Sequence, residues 1–176
     1  ADADAMGDSK FNYRLFFLRK LVFGDSLSLA TPGDVEQLYW HSRKRVECGT
    51  YACSEDDVLT LASLRMQVEF GDYDPVETPA KLKPVLRDFV PNGSKNSQAP
   101  KEWLEDLCTT HSRMVGFPQQ ACKENYIRMT MGYDNFGFTV FKLRQCADPD
   151  KPHVNEKVVV GVNYRGLSFF DERNQP

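Results

Sequence analysis

The spacing of apolar residues changes near residue 134, and that change limits the fold more than any other feature. Between residue 34 and this point, apolar residues recur at steps of three and four, which is the period of an amphipathic helix. After it, aromatic and β-branched residues come in short runs such as "NFGFTVFKLRQC" and "KVVVGV", which are typical of strands. The order predicts an α+β protein, in which a helical bundle is followed by a partial antiparallel sheet.

The clearest helix lies in the stretch "DDVLTLASLRMQVEFGDYDP", residues 56–75. Its apolar face is formed by Val58, Leu61, Ala62, Leu64 and Val68. The same pattern leaves Arg65, Gln67 and Glu69 for water. Ser54 is a suitable N-cap, with Asp56 and Asp57 complementing the positive end of the helix dipole. Gly71 and Pro75 predict the end of the helix.

The other elements follow from the same criteria. A helix is predicted over 34–47, where Asp34 and Gln37 have the spacing of a capping box. Another is predicted over 80–89, with Pro84 in its first turn or at a bend. Two more begin at about residue 101 and at Pro118, which suits the first helical position. "YRLFFLRKLVF", residues 13–23, is predicted as a strand. In the second strand of the later sheet, Val158, Val160 and Val162 should point to one face.

Composition excludes several classes of protein. With 22 basic and 25 acidic residues, the chain has no general attraction to nucleic acid or anionic membranes. Five cysteines, without a CxxC pair, suggest neither a disulfide framework nor a zinc site, and we expect them to be reduced and cytosolic. No apolar run reaches the roughly 20 residues that span a bilayer. The opening "ADADAMGDSK" is expected to be a frayed end or an expression remnant.

No catalytic, cofactor or metal motif is recognisable. His41, His111 and His153 lie far apart, and the sequence has no GxSxG, GxxxxGK[ST] or GxGxxG pattern. We therefore expect no enzyme activity, no metal and no cofactor. Cys53 precedes a predicted helix, a position that can lower a thiol pKa. Without an identifiable second catalytic group, we interpret it as structural.

One charged stretch, "HSRKR" at residues 41–45, permits two interpretations. It is either a solvated helix face or a basic patch of Arg43, Lys44 and Arg45 that meets anionic lipid headgroups or an acidic peptide. Four cationic residues on neighbouring predicted helices would enlarge such a patch if they shared its face: Arg65, Lys81, Lys83 and Arg87.

Several phrases resemble the FERM domain, the three-lobed module of ezrin, radixin and moesin, talin and some unconventional myosins and a plant kinesin. "LASLRMQVEFGDYDP" resembles a middle-lobe helix with its Gly-Asp-aromatic turn, and "YRLFFLRKLVF" the last strand of the preceding ubiquitin-like lobe. "KEWLEDLCTTHSRMVGFPQQACKENYIRMTMGYDNFGFTVFKL" is similar in layout to the last middle-lobe helices and the first strand of the next lobe. "VVVGVNYRGLSFF" matches the family's "GVNxxGLxFF" hairpin. The stretch "KLKPVLRDFVP", followed by a helix that contains a Trp, resembles the FERM domains of motor tails.

The resemblance implies an acyl-CoA-binding-protein-like helical bundle followed by part of a pleckstrin-homology-like sheet. Residues 1–12 would precede the fold. The last ubiquitin-like strand and a linker would occupy 13–33, the middle lobe 34–133, and the start of the truncated third lobe 134–176. The family's peptide groove would lie beyond Pro176, and its phosphoinositide cleft would lack half of its wall.

The function implied is that of a non-catalytic adaptor. It would link a cytoskeletal or motor tail to cytoplasmic tails of membrane proteins or other cargo, at the cytoskeleton or the membrane cortex. The alternative is a purely structural lobe without a ligand site. Two surfaces are candidates for binding: the basic patch, and exposed sheet aromatics, Phe138, Phe141 and Phe169, where self-association or the remainder of the FERM domain would cover the sheet.

Overall fold

The computed structural model describes residues 31–51, 53–92, 94, 98–144, 157–163 and 166–170. Five helices are followed by three strands, which confirms the predicted α+β class. The helices are α1 (Pro32–Glu47), α2 (Glu55–Phe70), α3 (Glu77–Phe89), α4 (Pro100–Ser112) and α5 (Gln119–Met131). The strands are β1 (Thr139–Arg144), β2 (Lys157–Asn163) and β3 (Gly166–Phe170). The strand predicted at 13–23 and the expectations for 1–12 lie outside the described residues.

The central element of the bundle is α2. It packs against α3, α4 and α5, while α1 packs on α5 and α3 on α4. One core cluster joins α1, α2 and α5 through side chains such as Leu38, Leu61 and Ile127. A second joins α2, α3 and α4 around Met66 and Trp103. Because α2 contributes to both clusters, it has almost no side that faces water.

The central position of α2 corrects the prediction that Arg65 and Gln67 face water. Both side chains are buried, whereas Glu69 is exposed as expected. Periodicity identifies the most apolar face of a helix, but it does not count the neighbouring helices that cover the other faces. Burial of a guanidinium or an amide is tolerated when its donors find acceptors, and both side chains do so here.

Two helix starts follow capping chemistry. The N-cap of α2 is Ser54: its hydroxyl accepts the Asp57 N–H at 3.1 Å, and the Asp57 carboxylate accepts the Ser54 N–H at 3.1 Å. For α1 the predicted start is wrong. The N-cap is Thr31, and Asp34 is the third helical residue that completes its capping box. The earlier start places Pro32 in the first turn, where its missing N–H costs nothing.

The start of α3 excludes one of the two placements predicted for Pro84. The helix begins at Glu77, so Pro84 lies beyond its first turn, on an exposed side of the helix. Asp74 fixes that earlier start, because its carboxylate accepts the N–H groups of Val76 and Glu77 at 2.8 and 2.7 Å. Pro118 is the N-cap of α5 rather than its first helical residue.

The sheet is an antiparallel meander in the order β1-β2-β3. Phe141 is paired with Val160, and Val160 with Phe169, so these three residues form one row across the sheet. Directly paired residues point to the same face, and the faces alternate along each strand. The register therefore places Val158, Val160 and Val162 on one face, as predicted.

Candidate interaction surfaces

One face of the sheet is apolar and exposed, and we call it the sheet face. It consists of alternate residues of the three paired strands: Thr139, Phe141, Leu143, Val158, Val160, Val162, Leu167 and Phe169. The exposed fractions are 47% for Phe141, 50% for Leu143, 37% for Val162 and 68% for both Leu167 and Phe169. Apolar side chains in adjacent rows of three strands form a contiguous patch rather than isolated surface residues, and such patches mark interaction sites.

The structure brings Phe141 and Phe169 together on the sheet face but places Phe138 elsewhere. The ring of Phe138 packs edge-on against that of Phe170, with centroids 5.3 Å apart. Both rings lie over Gly161, where an added Cβ would come within 2.3 Å of Phe170 and 2.8 Å of Phe138. Since Gly161 alternates with the β2 valines of the sheet face, Phe138 lies on the opposite face.

Two of the four cationic residues that the sequence singled out beyond its basic run join Arg43 and Lys44 in a cleft. A cleft of about 370 Å³ is lined by Arg43 and Lys44 of α1, Arg65 of α2 and Arg87 of α3, together with Glu47, Cys48, Asp88, Val90 and Asn92. Lys81 and Lys83 do not line this cleft. The fold thus gathers cations from three helices at one place, which the sequence left open.

The cations of the cleft are largely paired within the molecule. The Glu47 carboxylate lies 2.7 Å from both Arg43 and Lys44 and 3.2 Å from Arg65. Glu69 accepts from Arg43 at 2.7 Å and from Arg65 at 2.8 Å. Burial raises the pKa of Glu47, but hydrogen bonds from Lys44 and Arg43 outweigh it and hold this pKa below its usual value.

Helix ends account for the position of several of these cations. Lys44 and Arg45 lie in the last turn of α1, and Arg87 lies in the last turn of α3. Cations in a last helical turn are stabilised by the negative end of the helix dipole. Arg45 does not line the cleft; its charge, after burial, helps to lower the pKa of His41. Within the basic patch, Arg43 thus links α1 to Glu69 of α2, and Lys44 pairs with Glu47 inside α1.

The thiol of Cys53 does not have the lowered pKa that its position before a helix could give. Its side chain is half-buried at the edge of both core clusters. Burial raises its pKa, and the hydrogen bond with Tyr133 only partly offsets that effect. A raised thiol pKa leaves little thiolate at neutral pH.

A buried polar network, which we call the His111 network, connects two loops and was missed by sequence reasoning. Nε2 of the fully buried His111 lies 3.0 Å from Gln67 Oε1 and 3.1 Å from the Gly71 carbonyl oxygen. Gln67 Nε2 donates to Asp72 Oδ1 at 2.6 Å and to the Phe117 carbonyl at 3.1 Å. The one available signal was a histidine on the apolar stripe of α4.

Two further searches of the described part of the chain are negative. No cluster of three or more histidine, cysteine, aspartate or glutamate side chains there has the arrangement of a metal site. Among the same residues, none of the helices combines the length and apolar character that crossing a membrane requires.

Comparison with known proteins gives a family and a fold. The model of the FERM central domain matches residues 25–141. Myosin-VIIa of Drosophila melanogaster is 23% identical over 160 residues, which are 91% of this chain and 7% of the myosin. FERM domain-containing protein B of Dictyostelium discoideum is 25% identical over 149 residues, 83% of this chain and 31% of that protein. The chain therefore spans less than a third of either relative.

Solved structures agree with this assignment at the level of the fold. The C-terminal MyTH4-FERM domain of human Myosin 7b, solved in complex with the harmonin-a PDZ3 domain, superposes with a TM-score of 0.69 at 20% identity. The match covers 90% of this chain and 32% of that one. Drosophila Merlin, solved as a complex of its FERM and C-terminal domains, gives 0.70 at 19% identity over 90% of this chain and 52% of that one.

Proposed function

Because the chain belongs to the FERM family through its central domain, we propose that it is a non-catalytic protein-interaction module in the tail of a cytoskeletal or motor protein. Its partners would be cytoplasmic tails of membrane proteins or other cargo peptides, together with the remainder of the FERM domain. Residues 34–133 would form the middle lobe, and 134–176 would begin the third lobe. The module would act at the cytoskeleton or the membrane cortex.

The observation that carries this proposal is the exposed sheet face. Its eight side chains include seven apolar ones and Thr139, and none is charged. Exposure of an uncharged, contiguous apolar surface to water is unfavourable, and the free energy falls when a polypeptide covers it. The complex of the Myosin 7b MyTH4-FERM domain with a PDZ domain supports a protein as the class of partner.

Anionic lipid is the weaker candidate for a ligand. Lipid binding would depend on the basic patch, where Glu47 and Glu69 already pair with Arg43, Lys44 and Arg65. A lipid phosphate would have to replace these intramolecular pairs, and the net gain from such an exchange is small. Any such binding should weaken as salt concentration rises.

A purely structural lobe is the second candidate function. It is favoured by the way in which polar side chains are used in the bundle, since Arg65, Gln67 and His111 all bind neighbouring helices or loops. On this hypothesis the bundle only orders adjacent lobes of a longer tail. The sheet face would then be covered within the same polypeptide and would bind no cargo.

The test is binding of the chain to a panel of fluorescein-labelled cytoplasmic-tail peptides, measured by fluorescence anisotropy. We expect at least one tail to bind, and binding to be weakened when Phe141 and Phe169 are both changed to serine. Phe117→Ser is the matched control, because Phe117 is 46% exposed but lies between α4 and α5. Binding of no tail, or equal loss with Phe117→Ser, would favour the structural lobe.

A further inference from the structure

We propose that residues 132–138, which connect α5 to β1, form a joint between the helical bundle and the sheet, and that Asn135 is the positioning residue that locks it. The locked joint holds the sheet in one orientation relative to the helices. When the lock opens, the sheet turns as a unit about a pivot at Gly137. The lock acts whatever binds the sheet face, because it sets the orientation of the sheet and not its ligand.

The bundle and the sheet share little interface apart from this connection. Among the described residues, the main packing contacts between elements join helix to helix or strand to strand. The connection leaves α5 at Gly132 and enters β1 at Thr139. The orientation of the sheet relative to the helices therefore depends chiefly on what holds these residues.

The first part of the joint is fastened to the loop between α1 and α2. Asn135 is only 3% exposed, and its Nδ2 donates to the Thr50 carbonyl oxygen at 2.7 Å. Beside this bond, the rings of Tyr133 and Tyr51 are stacked, with centroids 5.2 Å apart. The Phe136 ring lies 6.4 Å from the same Tyr51 ring, which belongs to the core cluster of α1, α2 and α5. Since a buried amide without a partner is costly, the bond to Thr50 favours one position of Asn135.

The pivot lies just after the lock, at Gly137. Its φ is 77°, in the left-handed region that glycine adopts without strain. The side chains before and after it belong to different parts of the molecule. Phe136 packs against the core cluster of the bundle, whereas Phe138 packs on Phe170 of the sheet, over Gly161. A change of backbone angles at Gly137 would therefore turn the sheet without disturbing the packing inside either part.

The lock preorganises any surface to which both parts contribute. A partner that touches the bundle and the sheet meets them in one orientation and does not have to order the joint when it binds. Rotation at Gly137 would separate the two halves of such a surface while each half stays folded. The joint thus gives the fold a locked state that favours such partners and an open state that does not.

Amide hydrogen exchange of the whole chain tests the lock. The N–H groups of Phe136 and Phe138 bond to carbonyl oxygens within the joint. In Asn135→Ala their exchange should speed up about tenfold, since one buried hydrogen bond changes an equilibrium by about that factor. Exchange within α5 and β2 should stay as in the wild type. Asn125→Ala is the matched control, because Asn125 makes only an exposed hydrogen bond, with Arg128.

Residual dipolar couplings, measured by NMR on the whole chain, test the pivot. We expect the couplings of helices and strands in the wild type to fit one alignment tensor. In the double variant Asn135→Ala, Tyr133→Leu, which loses the hydrogen bond and the stacked ring together, the strands should require a tensor of their own. Chemical shifts of the helices and strands check that both parts remain folded.

Three outcomes would overturn the proposal. In the first, the wild-type helices and strands already require different tensors, so the joint is not locked. In the second, Asn135→Ala leaves exchange at Phe136 and Phe138 unchanged, so Asn135 does not hold the joint. In the third, the folded double variant still fits one tensor, so the sheet is held elsewhere. If the double variant unfolds, the wild-type couplings and the single variant still decide the lock.

Discussion

At the scale of the residue, the His111 ring is the most consequential buried group outside the hydrophobic clusters. Nε2 must carry the proton, because both of its neighbours, Gln67 Oε1 and the Gly71 carbonyl, are acceptors. Nδ1 is then an unprotonated nitrogen without a partner among the described residues. A second proton would create a buried donor without an acceptor, which costs free energy.

The first prediction concerns the pH dependence of stability. Burial lowers the pKa of His111, while the Gly71 carbonyl and the Asp72 charge partly oppose the shift. Below the unfolded pKa of about 6.5, the unfolded chain therefore binds more protons than the folded one, and the free energy of unfolding falls as pH falls. Urea denaturation between about pH 7.5 and about pH 5 should show this fall.

Two variants assign the effect to particular rings. His111→Gln keeps an N–H donor but cannot titrate, so the fall in stability should be shallower in this variant. His41→Gln should remove a separate share, because burial and the Arg45 charge also lower the pKa of His41. An unchanged slope in His111→Gln would show that this ring does not titrate as we infer.

The second prediction concerns the cysteines. Cys48 is exposed at the C-cap of α1, whereas Cys53, Cys108 and Cys122 have pKa values raised by burial. Among the described cysteines, we expect a mild electrophile at neutral pH to label Cys48 first. Mass spectrometry with time gives the order, and Cys48→Ser serves as control. Stoichiometric labelling of Cys53 ahead of Cys48 would revive the nucleophile interpretation.

At the scale of the element, Arg65 joins three helices. From α2 it reaches Glu47 of α1 at 3.2 Å and donates to the Asp88 carbonyl of α3 at 2.6 Å. Its guanidinium also lies 4.0 Å from the centroid of the Phe89 ring, a cation–π contact. One side chain thus satisfies a carbonyl at the end of α3 and a carboxylate on α1.

The third prediction is that Arg65→Met lowers the free energy of unfolding by about 3 kcal/mol, because it removes the donor to the Asp88 carbonyl and one of the cations that neutralise Glu47 and Glu69. The control is Lys81→Met, which removes an exposed ion pair with Glu77. This change should lower the free energy of unfolding by less than about 0.5 kcal/mol. Chemical denaturation of both variants gives the comparison. Equal losses would mean that burial does not strengthen the Arg65 contacts.

The fourth prediction concerns the two loops joined by Asp72. Its carboxylate accepts the Gly116 N–H at 2.8 Å and a proton of the Gln67 amide, and these bonds lower its pKa. Asp72→Ala should therefore speed hydrogen exchange at the Gly116 amide about fivefold or more. Asp74→Ala is the matched control, since Asp74 caps α3 and its loss should instead affect Val76 and Glu77. Unchanged exchange at Gly116 would contradict the role of Asp72.

At the scale of the whole molecule, the helical bundle and the sheet differ in completeness. The helices close two core clusters around α2, whereas among the described residues the sheet has three strands and a face with exposed apolar side chains. Apolar burial supplies most of the stability of a fold, so we expect local opening to be easier in the sheet.

The fifth prediction follows from this difference. In a monomeric sample, hydrogen exchange should be slow at the amides of Leu61–Val68 and faster at Val158–Val162. The bundle and the sheet would then behave as separate cooperative units. Equal protection of both segments in a verified monomer would contradict the prediction and would show that the sheet unfolds only with the bundle.

The sequence by itself determined the class of fold, the five helices and the alternation in the sheet. These features depend on local chemistry: Ser54 caps the helix that follows it, Gly71 ends that helix with a φ of 79°, and alternate valines of β2 face one way. Periodicity and capping act over a few residues, so a single chain segment displays them. The start of α1 was predicted three residues too late, because the side chains of Thr31 and Asp34 are both suitable N-caps.

Only the tertiary structure decided which of the predicted surface residues are buried or paired within the molecule. Arg65 is buried because three other helices surround α2, and Arg43 and Lys44 are paired because Glu47 and Glu69 lie beside them. The ring of Phe138 packs over Gly161, away from Phe141 and Phe169. Each outcome depends on residues distant in sequence that the fold brings together, and free energies of burial and pairing depend on those neighbours rather than on the local pattern.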